Sequence, residues 1–122
     1  MNESAPAAAL AVARAYHDAW QRRDYQAAWQ LLSDDLTVDV PVNSYASKAA
    51  FAEAAQRTRE MTAAVSPIAE FGDDGHAVLL YDMTLPIGDL RIAEYFSVGD
   101  GRITRITHIH DTAALRAAGA GQ

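Results

Sequence analysis

The hydrophobic period of the chain is mainly helical in its first half and alternating in its second. Between Ala5 and about Arg22 the residues Ala9, Val12, Ala13, Tyr16 and Trp20 fall on one face at helical spacing, with Arg14, Asp18, Gln21 and Arg22 on the other. Ser4 stands where it can cap that helix. Asp24 can cap a second, shorter one, in which Tyr25, Ala28, Trp29 and Leu32 repeat as i, i+3, i+4, i+7 before Ser33-Asp34-Asp35 ends it. Leu36, Val38 and Val40 alternate with Thr37 and Asp39 as a half-buried strand does, and Pro41 closes that strand because it cannot donate to a ladder. Ser47 then caps a third helix to about Arg59, with Phe51, Ala55 and Thr58 inward.

From Met61 onward the apolar residues alternate. The turn signals Gly72-Asp73-Asp74-Gly75, Pro86-Ile87-Gly88-Asp89 and Gly99-Asp100-Gly101 cut the remainder into four strands of an antiparallel meander. Three helices followed by hairpins predict an α+β fold, with the helices covering one face of a curved, mostly antiparallel sheet. Such a sheet wrapped round a helix encloses a pocket open at one end. Residues 1–122 read as a single domain, and residues 113–122, rich in Ala and Gly, as a loosely ordered tail.

Half of the residues are hydrophobic, but 26 are alanine, so the large side chains available for a core are few and their placement matters. Ten basic against 16 acidic residues give a net charge of -6, the wrong sign for nucleic acid or an anionic membrane surface. The chain has no cysteine, which removes disulfides, thiolate nucleophiles and sulfur-based zinc sites. Glu3 and Arg14 spoil the N-terminus as a signal peptide, and no apolar run approaches the ~20 residues of a membrane span. The expectation is a cytoplasmic domain.

In the strand Leu90 to Val98, Leu90, Ile92, Phe96 and Val98 form an apolar face with Glu94 in its middle. Burial disfavours a charged carboxyl, so Glu94 should have a raised pKa, as a general acid or neutral donor needs, unless a cation lies close. The alternative is a carboxylate at the sheet edge or paired with Arg105. In the final strand, Ile106, His108 and His110 share one face and Ile103, Arg105 and Ile109 the other. If Val98–Gly101 is a type I turn, the histidines share the face of Glu94; if Asp100-Gly101 is a two-residue type I′ loop, they point away. His-x-His with Glu94 could hold a metal, but no third ligand stands at a fixed spacing, so acid–base work is the preferred reading and no metal or cofactor is expected.

Tyr16 sits in the apolar face of the first helix, where its hydroxyl needs a partner, either another side chain or a ligand oxygen. Trp20, Phe51 and Tyr81, with Val40, Phe96 and Ile106, are the ligand-binding candidates; each is core or pocket wall, and spacing does not divide the two. Ala77, Leu79, Tyr81, Met83 and Leu85 form an inner strand face, leaving His76 and Asp82 outside. Val78, Leu80 and Tyr95 on the outer face would suit a homodimer interface. The sequence has no Gly-rich phosphate loop, no G-x-S-x-G and no H-E-x-x-H.

Several stretches together resemble the SnoaL-like branch of the nuclear transport factor 2-like superfamily: Ala15-Tyr16 to Trp20, Arg23-Asp24-Tyr25, Leu31 to Val38, Glu94-Tyr95-Phe96, Gly99 to Ile103, and the closing Asp111 with Leu115 and Gly119. The resemblance implies a cone-shaped fold that hosts isomerases, cyclases, dehydratases, epoxide hydrolases and noncatalytic subunits. By similarity to ketosteroid isomerases, Tyr16 matches the catalytic tyrosine and Glu94 the donor carboxylic acid. The base does not match, because Val40 replaces the aspartate before the proline and Asp39 should face the other way. His108 and His110 resemble pocket-facing residues of the last strand, and Asp111 is the nearest counterpart of the acid–base carboxylate of SnoaL-like cyclases.

These readings point to a cofactor-independent acid–base enzyme of the isomerase or cyclase type. Its ligand would be a largely apolar, polyketide- or steroid-like small molecule, with Tyr16, Glu94, His108, His110 and Asp111 as catalytic candidates. The competing reading is a noncatalytic binding module or dimeric assembly module of the same fold.

Overall fold

The computed structural model describes residues 8–41, 45–113 and 117. Its elements run α1 (Ala8–Gln21), α2 (Tyr25–Gln30), β1 (Leu32–Asp39), α3 (Lys48–Met61), β2 (Ala64–Gly72), β3 (His76–Leu85), β4 (Gly88–Gly99) and β5 (Arg102–Ile109). The Ser4 cap and most of the tail from Ala113 lie outside the described residues. Among those residues, no helix is long and apolar enough to cross a membrane.

The expected caps form. The Asp24 carboxylate accepts from the Ala27 N–H and the Ser47 hydroxyl from the Ala50 N–H, each satisfying a helix-start donor. One boundary differs from the sequence reading. Ser33-Asp34-Asp35, expected to end a helix, lie inside β1, because Leu32 is already wholly buried against β5, opposite Ile103. The Ile103 N–H donates to the Leu31 carbonyl at 2.7 Å. Between Leu32 and Thr37 the pairing is irregular, so the two aspartates stay exposed without exposing the leucine.

The sheet order is β1-β5-β4-β3-β2, antiparallel except for the parallel β1–β5 pair. Helix α1 lies across the inner face, presenting Ala9, Ala13 and Ala19, all at most 2% exposed. At its N-terminal end it approaches the sheet closely: a Cβ on Gly72 would stand 2.8 Å from the Leu10 Cβ. Leu32, Phe96, Ile103 and Ile106 are completely buried and fill that end. Phe96 and Ile106, expected among ligand-binding residues, are therefore core: α1 packs too near them to leave space.

At its other end α1 is tied to α3. The Trp20 indole N–H donates to the Ala55 carbonyl at 2.9 Å, and the Arg59 guanidinium donates to the Gln21 and Thr62 carbonyls while lying 5.8 Å from the Trp20 ring centre. Lys48 holds the start of α3 to β1 through the Leu32 carbonyl at 2.9 Å. The two helices thus form a wall standing off the sheet.

The β4–β5 hairpin has the type I′ turn, yet its histidines face as the type I alternative requires. Gly99 pairs with Arg102 across a two-residue loop in which Asp100 and Gly101 both have positive φ, 54° and 75°, as a type I′ turn requires. That register would turn the histidines outward. One residue, Thr104, is then bulged out between the Val98–Ile103 and Ser97–Arg105 pairs, and its hydroxyl bonds the Ser97 carbonyl at 3.2 Å. The bulge reverses the parity, so that Ile103 faces inward before it and Ile106 and His108 after it.

On the outer face, Asp82 pairs with Arg91 and His76 stacks on Tyr95, as expected of exposed positions. Cross-strand register brings Phe71, Val78 and Tyr95 into one row and Leu80, Ala93 and Ile109 into the next.

Candidate functional site

Where α1 and α3 stand away from the sheet, a cavity of about 290 Å³ opens. Trp20, Phe51, Met83, Leu90 and Ile92 make its wall apolar, and Val40, Tyr45, Met61 and Leu85 complete it. Its polar groups include Tyr16 and His17 from α1, Tyr81 from β3, Glu94 from β4, and His108 and His110 from β5 and just beyond, with the hydroxyls of Tyr45 and Thr58 on the α3 side.

Glu94 is 3% exposed and both carboxylate oxygens are occupied. Oε1 accepts from the Tyr81 hydroxyl at 2.7 Å, and Oε2 lies 2.9 Å from His108 Nε2. Register produces this arrangement: His108 is directly opposite Glu94 on β5, and Tyr81 is diagonal to it on β3. Burial pushes the carboxyl pKa up, but the charge and hydrogen bond of His108, with smaller help from His17 and Tyr81, hold it below its ordinary value. The raised pKa expected from burial is therefore corrected by the nearby imidazole, and the partner is not Arg105, which is exposed beside Ser97.

Tyr16 is 3% exposed, its ring edge-on to Phe96 at 5.9 Å, so it spans the boundary between packed core and cavity. Its hydroxyl makes no hydrogen bond among the described residues. Burial first, and then the Glu94 charge, push the Tyr16 and Tyr81 phenols well above their usual pKa. Both remain O–H donors at any physiological pH.

Of the other expected residues, His110 lines the cavity, with Nδ1 3.0 Å from the Asp111 carbonyl, and Val40 lines it as an apolar residue. Asp39 is exposed on the other side of β1, as alternation requires. Asp111 stands apart: it is exposed, it does not line the cavity, and its carboxylate accepts from the Ala113 N–H at 2.9 Å. Among the described residues, no cluster of three or more His, Cys, Asp or Glu side chains could hold a metal ion.

His17 is the residue the pattern reading passed over. It is 7% exposed, 4.5 Å from the Tyr81 ring and 5.2 Å from the Trp20 ring, and its Nδ1 lies 3.0 Å from the Gln21 amide nitrogen. Burial lowers its pKa against the opposing pull of Glu94, so it is neutral near pH 7. The available signal was its place in the stripe Leu10, Ala13, His17, Trp20, with Gln21 four residues on.

The model of the SnoaL-like domain family matches residues 13–106 of the chain. Among solved structures, a protein from Kribbella flavida is 30% identical, with 92% of this chain and 93% of that one covered and a TM-score of 0.85. A steroid delta-isomerase from Pseudomonas aeruginosa is 20% identical over 93% of this chain and 87% of its own, TM-score 0.77. A nuclear transport factor 2-like protein from Cytophaga hutchinsonii is 14% identical over 86% and 91%, TM-score 0.74. No curated protein matches the chain.

Proposed function

The chain belongs to the SnoaL-like domain family, and from that premise we propose that it is a cofactor-independent acid–base enzyme of the isomerase or cyclase type, acting on a flat, largely apolar carbonyl compound. The observation that carries this reading is the 2.9 Å Glu94–His108 contact at the buried polar end of an otherwise apolar cavity.

The roles differ from those the resemblance to ketosteroid isomerases implies. With its carboxyl held ionised, Glu94 is a poor neutral donor and instead orients His108, accepting from Nε2–H and leaving Nδ1 with its lone pair. His108 Nδ1 then removes a proton from the carbon next to the substrate carbonyl, and the imidazolium is stabilised by the adjacent carboxylate. The carbonyl π electrons move onto oxygen, where the Tyr16 O–H donates to the developing negative charge. Return of the proton from His108 to another carbon isomerises the substrate; attack of the enolate carbon on a second carbonyl closes a ring. His110, just beyond the same strand, is a further histidine lining the cavity. The volume lies near the lower end of the roughly 300–1,000 Å³ of small-molecule pockets, which favours polyketide- or steroid-like fragments of a few fused rings.

The test uses 2-tetralone, a flat bicyclic ketone, and follows loss of its α-proton in D₂O by NMR. The wild type should accelerate exchange, and His108→Ala and Glu94→Gln should each abolish most of that acceleration. Exchange no faster than in buffer, with tetralone bound, favours the noncatalytic binding module, a reading supported by Val40 standing where the related isomerases carry their base. The outer-face rows of Phe71, Val78, Tyr95 and Leu80, Ile109 support a homodimer through that face. Leu80→Glu should then halve the mass seen by light scattering.

A further inference from the structure

The polar groups of the cavity are unevenly satisfied. Both Glu94 oxygens are occupied, by Tyr81 and His108. Two of the buried residues lining the cavity each keep a group with no such partner among the described residues: Tyr16 its hydroxyl and His17 one ring nitrogen, Nε2, which is completely buried with no hydrogen-bond partner. Buried polar atoms left in this state are uncommon and call for an explanation.

The identity of the free atom follows from its neighbour. The group 3.0 Å from His17 Nδ1 is the Gln21 side-chain nitrogen, and an amide nitrogen only donates. With the Gln21 amide in this orientation Nδ1 accepts, which puts the proton of the neutral imidazole on Nε2. The Tyr81 and Trp20 rings, 4.5 and 5.2 Å away, hold the imidazole in place, and Trp20 is itself fixed through its bond to Ala55. His17 is thus a neutral, oriented N–H donor, next along α1 from Tyr16 and lining the same cavity.

We propose that His17 Nε2–H is a ligand-contacting donor, and that Tyr16 and His17 together favour substrates presenting two acceptor oxygens, a 1,3-dicarbonyl or its enolate. This rests on the acid–base reading above and narrows its substrate class. A dicarbonyl gives each free donor an oxygen. Holding the enolate by two neutral donors also leaves His108 free to move the proton.

The experiment uses 1,3-indandione, with indane as the same bicycle lacking oxygen, on the wild type and His17→Phe. In the wild type, ¹⁵N–¹H spectra of the histidine side chains should show the His17 proton on Nε2 and a shift of that signal on adding indandione but not indane. His17→Phe should bind indandione at least tenfold more weakly and indane within twofold of wild type. The wild-type spectra serve as the test even if the variant folds poorly.

A proton found on Nδ1 overturns the proposal. So does an Nε2 signal that indandione leaves unmoved, which would assign that proton to the hollow of about 60 Å³ behind the ring. If these signals respond as expected while His108→Ala leaves tetralone exchange unchanged, the donor assignment stands and the acid–base reading fails. The reverse pattern removes His17 and keeps the dyad.

Discussion

The Phe96–Ile106 and Glu94–His108 rungs of the β4–β5 ladder are neighbours on one face of one sheet, about 7 Å apart along the strands. The first is fully buried apolar packing and the second is a buried carboxylate against an imidazole. The strand pattern does not distinguish them; the helix above does. At the Phe96 end α1 presents Ala9 and Ala13 and lies close enough that Gly72 has no room for a Cβ. At the Glu94 end it presents Tyr16, His17 and Trp20, whose bulk holds it off the sheet, and α3 closes the side through Trp20 and Arg59. Small residues at one end of a helix and aromatic ones at the other thus convert a uniform sheet face into a core and a cavity.

The comparison can be broken at either rung. At the cavity rung, His108→Ala should lower tetralone exchange by about 10²–10⁴-fold, the usual range for a general base, while the melting transition stays cooperative. At the packed rung, Phe96→Ala should cost about 3–5 kcal/mol of stability, measured by urea unfolding, because α1 cannot collapse further onto the sheet. Tyr16→Phe lies between the two, since its ring belongs to the core and its hydroxyl to the cavity. Exchange should fall by about 10²–10³-fold, as for loss of one oxyanion donor, with little change in stability because no protein partner is lost.

Acid should separate the cavity further from the core. Native His17 has a lowered pKa, so below its ordinary value of 6.5 the unfolded chain takes up a proton that the folded chain refuses, and stability falls as pH drops toward the native pKa. Glu94 adds a second window: its native pKa is also lowered, so its contribution is full above 4.5 and is lost as pH falls through the folded value. In thermal melts against pH, His17→Phe should flatten the first window and Glu94→Gln the second. The smallest effect belongs to Asp111→Asn, whose side chain is outside the cavity: exchange within twofold of wild type.

How far the sequence carries depends on the kind of signal each residue leaves. The change from helical to alternating period marks the α+β order, and a carboxylate in an apolar row singles out Glu94. The orientation of the histidines was not legible, because it depends on a type I′ turn and a bulge at Thr104 whose effects on parity cancel, and nothing in Thr104-Arg105 marks a bulge. Wall and core were not separable either: Phe51 and Tyr81 face the cavity while Phe96 and Ile106 do not, a difference set by the distance of α1. Glu94 was legible as buried, but the sign of its pKa shift required knowing that His108 lies opposite. His17 was hidden by its residue type, since a histidine in a helical stripe is not counted as buried until the aromatic rings around it are placed.

The claim on which the rest depends is that Glu94 is kept ionised by His108. The direct measurement is the pH titration of the Glu94 side-chain carboxyl by ¹³C NMR, in the wild type and in His108→Ala. A wild-type midpoint below that of an ordinary glutamate, moving above it once the imidazole is removed and burial acts unopposed, is the predicted result. A midpoint already raised in the wild type, or one that His108→Ala leaves unmoved, would contradict it and return Glu94 to the role of a neutral acid.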